Sequence, residues 1–187
     1  DLTLNKGYSR FVNCGSYDGD TIHILNSKFG KIQKLACFEP EIKIFERLSN
    51  YLYVNKMRLA EEIHILPCAV SNVNRIENFI SGNGLGSRID ENGTDKVKAV
   101  SLDKVLIGFD PTFINMDIEG QELNALYGSI EILNFCKPDL AICVYHSPDH
   151  IWEIPNQLNT LNLGYKFFLR NYTSYSLETV LYCTTKC

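Results

Sequence analysis

The chain has 187 residues, 45% hydrophobic and 21% charged, with 22 acidic and 18 basic side chains and a net charge of -4. This size and balance suit one globular domain, here 1–187, and exclude a disordered or collagen-like chain. The basic residues are scattered along the sequence, so no nucleic-acid partner is expected, and no apolar run approaches the ~20 residues of a membrane helix. Seven cysteines form no C-x-x-C pair. Cys14, Cys37, Cys68, Cys143 and Cys183 sit in or beside apolar runs and read as reduced core residues, with Cys187 the most exposed thiol. With no signal-peptide opening, the expected location is cytoplasmic.

In chain order, 10–15 is a short apolar strand with a glycine exit, 20–29 a helix, 34–38 a second strand, and 41–56 a helix carrying Ile42, Phe45, Leu48 and Leu52 at helical spacing. A third strand is expected over 63–70. The stretch 72–112 is less regular, with strands near 77–80 and 97–102 around a glycine-rich loop from Ser81 to Ser87 that reads as a surface hairpin or a lid. Then come strand 113–117, helix 119–135, strand 140–145 and a helix over 149–162 that stops at Gly164. Alternating strands and helices imply a parallel sheet covered on both faces. The last two strands, 165–172 and 177–184, are too close in sequence for a parallel crossover and must be antiparallel. The derived architecture is α/β: seven strands, mostly parallel, one reversed.

Three stretches carry chemistry. Asn13-Cys14-Gly15-Ser16-Tyr17-Asp18-Gly19-Asp20 joins the first strand to the first helix, and its glycines let the backbone turn tightly and approach a ligand. Phe38-Glu39-Pro40-Glu41 closes the second strand, where an acid can accept both hydroxyls of a ribose. Asp117-Ile118-Glu119-Gly120-Gln121-Glu122 follows the fourth helix-linked strand and opens a helix with Leu123, Leu126, Tyr127, Ile130 and Leu133 on one face. Asp117 falls where a parallel sheet offers its carboxyl ends to ligands. Glu119 and Glu122 read equally as acids that suit a helix N-terminus. Asp117, Glu119 and Glu122 resemble a divalent-metal cluster, but neighbouring positions on a turn point in different directions, so a metal is the minority reading and none is assigned.

The set F-V-N-C-G-S-Y-D-G, C-F-E-P, A-V-S, S-L-D, F-I-N-M-D-I-E-G-Q-E-L, C-V-Y-H and E-T-V-L-Y, in order over nearly the whole chain, resembles the FkbM-type S-adenosylmethionine-dependent methyltransferases. The resemblance implies a Rossmann-like class I methyltransferase fold with S-adenosyl-L-methionine as cofactor. It implies that Gly15 and Gly19 line the methionine end, Glu39 holds the ribose, Ala69 and Val70 border the adenine, and Asp117 faces the transferring methyl. The family usually has an acid where this chain has Asn13, a position that helps hold the cofactor's ammonium group. Asparagine keeps an acceptor but loses charge, and charge-assisted hydrogen bonds are roughly twice as strong as neutral ones. Asp18 and Asp20 are the candidates to compensate.

Methyl transfer to a hydroxyl requires alignment and loss of a proton. Asp117 and His146, at the ends of neighbouring strands, are the candidate bases. His23, His64 and His150 read as structural. Tyr145, Trp152 and Tyr172 are candidates for an aromatic wall, with Trp152 read first as core. The sequence thus points to an O-methyltransferase whose partner is a small-molecule or glycan acceptor, a hydroxyl of a carbohydrate or sugar-bearing metabolite. The alternatives are a nicotinamide-dependent oxidoreductase, for which G-x-G-x-x-G is missing, and a degenerate, non-catalytic methyltransferase domain.

Overall fold

The computed structural model describes residues 4–82, 86–174 and 178–185. Strands β1 (Arg10–Cys14), β2 (Ile32–Phe38) and β3 (Ala60–Leu66) are linked by helices α1 (Asp20–Phe29) and α2 (Ile42–Leu59). After a smaller sheet of β4 (Cys68–Val70), β5 (Arg75–Ile80), β6 (Arg88–Ile89) and β7 (Asp95–Val100), a short helix α3 (Leu102–Val105) leads to β8 (Phe113–Met116). Helices α4 (Glu122–Tyr127) and α5 (Ile130–Cys136), strand β9 (Asp139–Cys143), helix α6 (His150–Thr160) and the pair β10 (Tyr165–Asn171) and β11 (Thr179–Thr185) complete the chain.

The main sheet runs β3-β2-β1-β8-β9-β11-β10. All its pairs are parallel except those of β11, which is antiparallel to both β9 and β10. Side chains alternate between the two faces, as the period of a strand requires. Phe11, Leu35, Cys37, Phe113 and Ala141 pack with Ile22 of α1 and with Leu48 and Leu52 of α2. Val12, Cys14, Ala36, Ile114, Met116, Leu140 and Ile142 pack on the opposite face with Ala125, Leu126, Leu133, Ile154 and Leu158 of α4, α5 and α6. Burying each of the larger of these side chains stabilises the fold by about 1.5–3 kcal/mol. The expected cysteines Cys14, Cys37, Cys68, Cys143 and Cys183 are free thiols in the interior. No helix among the described residues is long and apolar enough to cross a membrane.

Three sequence expectations are corrected. The single strand over 63–70 is two strands in two sheets: β3 pairs with β2, whereas β4 pairs with β7. Pro67 lies between them, and a residue without an N–H cannot continue the ladder. The helix over 119–135 is broken between α4 and α5 at Gly128 and Ser129. A Cβ on Gly128 would come within 2.1 Å of the Ser71 carbonyl oxygen, so the break is where the small sheet is seated against the helices. The stretch 72–112 is more ordered than its composition suggests, since it supplies three of the four strands of the small sheet. Parts of two expected features, residues 83–85 of the glycine-rich loop and 175–177 before the last strand, lie outside the described residues, as does Cys187.

Candidate active site

At the carboxyl ends of β1, β2, β4 and β8 the two sheets enclose a cavity of about 750 Å³ including its open mouth, lined by Gly15, Glu39, Ala69, Val70, Asp117 and Tyr145 among others. Gly15 makes the junction possible. Its φ of 77° lies in the left-handed region, and a Cβ there would sit 1.8 Å from the Asp117 carbonyl oxygen. Only glycine lets the turn after β1 close against the end of β8. Asp117 N–H in turn donates to the Cys14 carbonyl at 3.0 Å, extending the pairing of β1 and β8 by one residue.

Glu39, only 6% exposed, accepts the Glu41 N–H on Oε1 at 2.9 Å and the Tyr17 N–H on Oε2 at 3.0 Å. Burial pushes its pKa up to about 7 despite the two backbone donors, which act in the opposite direction. Phe38, Ile44, Ala69, Val70, Phe79 and Ile89 form an apolar wall beside it. Gly82, Gly86 and Ser87, after β5, reach the rim of the cavity. Ser87 Oγ donates to Glu41 Oε2 at 2.6 Å, Gly82 N–H to the same oxygen at 3.4 Å, and Gly86 N–H to Glu119 Oε1 at 3.0 Å.

The other end of the cavity is charge-dense. Past β8 the backbone turns through left-handed conformations at Glu119 (φ 54°) and Gly120 (φ 97°), which brings Glu122 back beneath the turn. Glu122 is fully buried and its Oε1 accepts the Ile118 N–H at 3.0 Å. His146, in the loop after β9, has Nδ1 2.8 Å from the same Oε1, and His150 has Nδ1 3.3 Å from Oε2. Burial alone would raise the pKa of Glu122, but the two histidines outweigh it and hold the carboxyl down at about 2. An ionised carboxylate can only accept, so His146 Nδ1 is the donor and its Nε2 carries the lone pair. That Nε2 is buried without a hydrogen-bond partner, 3.4 Å from Asp117 Oδ1 and 3.5 Å from Glu119 Oε2. Burial lowers the pKa of His146, while Glu122, Asp117 and Glu119 raise it, and the net shift is upward. Asp117 is pushed above the usual carboxylate range, chiefly by burial. Tyr145 O–H donates to its Oδ1 at 3.4 Å.

The structure therefore gathers Gly15, Glu39, Ala69, Val70 and Asp117 around one cavity, with His146 against Asp117 at its end. Two expected cofactor residues fall outside the lining. Asn13 is 1% exposed and its Oδ1 accepts from Asn115 Nδ2 at 3.0 Å, so it is turned into the sheet's packing. Gly19 faces the ring of Tyr51, which a Cβ would meet at 3.0 Å. The aromatic wall reduces to Tyr145: Trp152 is 52% exposed, against the core reading, and Tyr172 is paired by its hydroxyl with Tyr182. Glu122 and His150 are the residues sequence reasoning undervalued. The available signal was two histidines four residues apart opposite an acidic turn, a pattern that means little until the fold places them together.

This sheet order with its reversed penultimate strand, and a cavity at the strand ends built from a glycine turn, a buried Glu and an Asp, are those of the class I methyltransferase fold. The methyltransferase FkbM domain matches residues 13–167, and the chain belongs to the FkbM methyltransferase family. The family is S-adenosylmethionine-dependent, so the cofactor is S-adenosylmethionine. The crystal structure of methyltransferase FkbM from Methylobacillus flagellatus KT superposes with a TM-score of 0.76 and 27% identity, covering 97% of this chain and 44% of that one. The chain thus spans less than half the length of that relative. Two more distant structures share the fold. Aeropyrum pernix fibrillarin, solved with natively bound S-adenosyl-L-methionine, has a TM-score of 0.57 at 12% identity, over 95% of this chain and 66% of that one. An rRNA methylase from Streptococcus thermophilus has a TM-score of 0.53 at 12% identity, over 95% and 86%. Among curated proteins, none matches the sequence. Family membership replaces the oxidoreductase alternative.

Proposed function

We propose that the chain transfers the methyl group of S-adenosylmethionine to a hydroxyl oxygen of a carbohydrate or sugar-bearing metabolite. The cavity's residues fit the cofactor. Each oxygen of Glu39 accepts one backbone N–H and keeps a second lone pair for a ribose hydroxyl. The turn at Gly15 leaves backbone, not side chain, against the ligand, and Ala69 and Val70 present a flat apolar surface to a base. Bound there, the cofactor supplies an electrophilic methyl on sulfur.

The observation that carries the oxygen-directed reading is the pairing of Asp117 with the unpartnered Nε2 of His146 at the cavity's end. Glu122 fixes the imidazole's tautomer, so the pair can orient a hydroxyl and receive its proton. Ser87, Arg88, Glu119 and Gln121 line the same cavity and offer a polyol both donors and acceptors. Protein-side chemistry is then alignment at about 3–3.5 Å and exclusion of water. The test is to supply the cofactor with a ¹³C-labelled methyl to a panel of sugars and glycosylated metabolites. A long-range NMR correlation from the labelled methyl to a carbinol proton is expected. A label found only on nitrogen or carbon would refute the reading.

A further inference from the structure

The acceptor end holds more negative charge than its own side chains neutralise. Asp117, Glu119 and Glu122 face two imidazoles, and among the described residues no lysine or arginine pairs with any of them. Into this cluster points Nε2 of His146, whose side chain is 7% exposed and which lacks a hydrogen-bond partner. Its separations of 3.4 Å from Asp117 Oδ1 and 3.5 Å from Glu119 Oε2 are long for N–H···O bonds. They equal the roughly 3–3.5 Å between two ligands bonded to one divalent ion at about 2.1 Å.

We propose that Asp117 Oδ1 and His146 Nε2 hold a first-row divalent cation, with Glu119 Oε2, 3.5 Å from that nitrogen, as the nearest further carboxylate. Ligand-capable atoms of Asp117, Glu122 and His146 lie within 4.8 Å of one another. Glu122 is already engaged by the Ile118 N–H and by His146 Nδ1, so its place is behind the imidazole, the carboxylate support that metal-bound histidines have. The sequence argument against a metal was that neighbouring turn positions diverge. The left-handed pair at Glu119 and Gly120 removes that objection by folding the turn over. The mixed imidazole and carboxylate set suits manganese or zinc better than the all-oxygen shells of calcium. The inference rests on the acceptor reading above and changes one role in it: an ion held by Nε2 and Oδ1 lowers the pKa of the acceptor hydroxyl bound to it, and the proton then passes to Asp117 Oδ2, not to the imidazole.

The probe is Mn²⁺ alone, titrated into chelator-treated protein without acceptor, with free Mn²⁺ read by electron paramagnetic resonance. One saturable site per chain is expected, weakened at least tenfold by Asp117→Asn and by His146→Ala and roughly 10–100-fold by Glu122→Gln. Glu61→Gln, on the exposed side of β3, should leave it unchanged. Near-ultraviolet circular dichroism shows which variants are folded, and His146→Gln replaces His146→Ala if that one is not. The absence of a saturable site, or binding untouched in folded Asp117→Asn and His146 variants, overturns the proposal. Methyl ether formation at full rate after chelation sinks the cation and leaves the proposed reaction standing. Site-specific Mn²⁺ binding with no methyl ether product supports the cation and sinks the reaction.

Discussion

The two ends of the cavity are built on different principles. At the Glu39 end, one carboxylate held by two backbone N–H groups stands beside an apolar wall. At the Asp117 end, three carboxylates and two histidines crowd within hydrogen-bonding or ion-pairing reach. In the proposed reaction the first arrangement binds and the second supplies charge where a proton has to move. Substitutions should therefore separate affinity from turnover along the length of one pocket.

The largest separation is expected at Asp117. Asp117→Asn should lower methyl transfer by about 10²–10⁴-fold, the range for a lost acid-base group, while S-adenosylhomocysteine affinity in calorimetry changes by less than about threefold, within the scatter of a lost weak contact. A matching loss of affinity would erase the distinction between the two ends. Glu39→Ala should do the reverse. Losing two hydrogen bonds to a charged acceptor costs at least about 3 kcal/mol, or roughly 100-fold in S-adenosylhomocysteine affinity, and Glu39→Gln should fall between.

Glu39 also gives the binding end its own pH signature. Its carboxyl is faced by Glu41 and Arg47, and its pKa stands at about 7 against 4.5 for an exposed glutamate. A folded-state pKa raised above the unfolded value contributes stability that is complete below the unfolded value and is lost as pH rises through the folded one. The ligand-free protein should thus lose about 3 kcal/mol between pH 4.5 and 7. Urea midpoints across that window should show the slope in the wild type and not in Glu39→Gln. S-adenosylhomocysteine should bind more tightly over the same rise, because the ionised carboxylate is the better acceptor for ribose hydroxyls.

The smallest effect sharpens the boundary of the binding end. Asn13 Nδ2 is buried without a partner and Oδ1 is taken by Asn115. Asn13→Asp would place a charge there with one donor for two oxygens, costing roughly 1–3 kcal/mol of stability. Thermal melts should show that loss with no gain in cofactor affinity. Tightened binding would restore the ammonium-anchor role that the resemblance implies for this position.

Much of the fold was legible because the main sheet obeys local rules. Apolar strands alternating with helical stretches, and a final pair too close for a crossover, gave away the strand count and the reversed strand. The small sheet was legible only in part: the strands near 77–80 and 97–102 are β5 and β7, but β4 is three residues long and reads as the tail of β3 until Pro67 is weighed. The same contrast holds in the site. Gly15 and Glu39 are signalled by a turn and a strand end, which are local. Glu122 is signalled by nothing local, because its role comes from His146 and His150, 24 and 28 residues away in sequence, and from a positive φ at Glu119 that no propensity for glutamate predicts.

The splitting of one expected strand at Pro67 reaches into the timing of turnover. Ala69 and Val70 stand on the same small sheet as Arg88, and Gly86 and Ser87 just before it reach over to Glu119 and Glu41. A nucleoside pressed against that wall loads the very piece that closes the opposite side. The expectation is that occupancy of one half of the cavity prepares the other. The expected rate law is compulsory order, nucleoside first and acceptor second, with S-adenosylhomocysteine departing last and inhibiting competitively against S-adenosylmethionine alone.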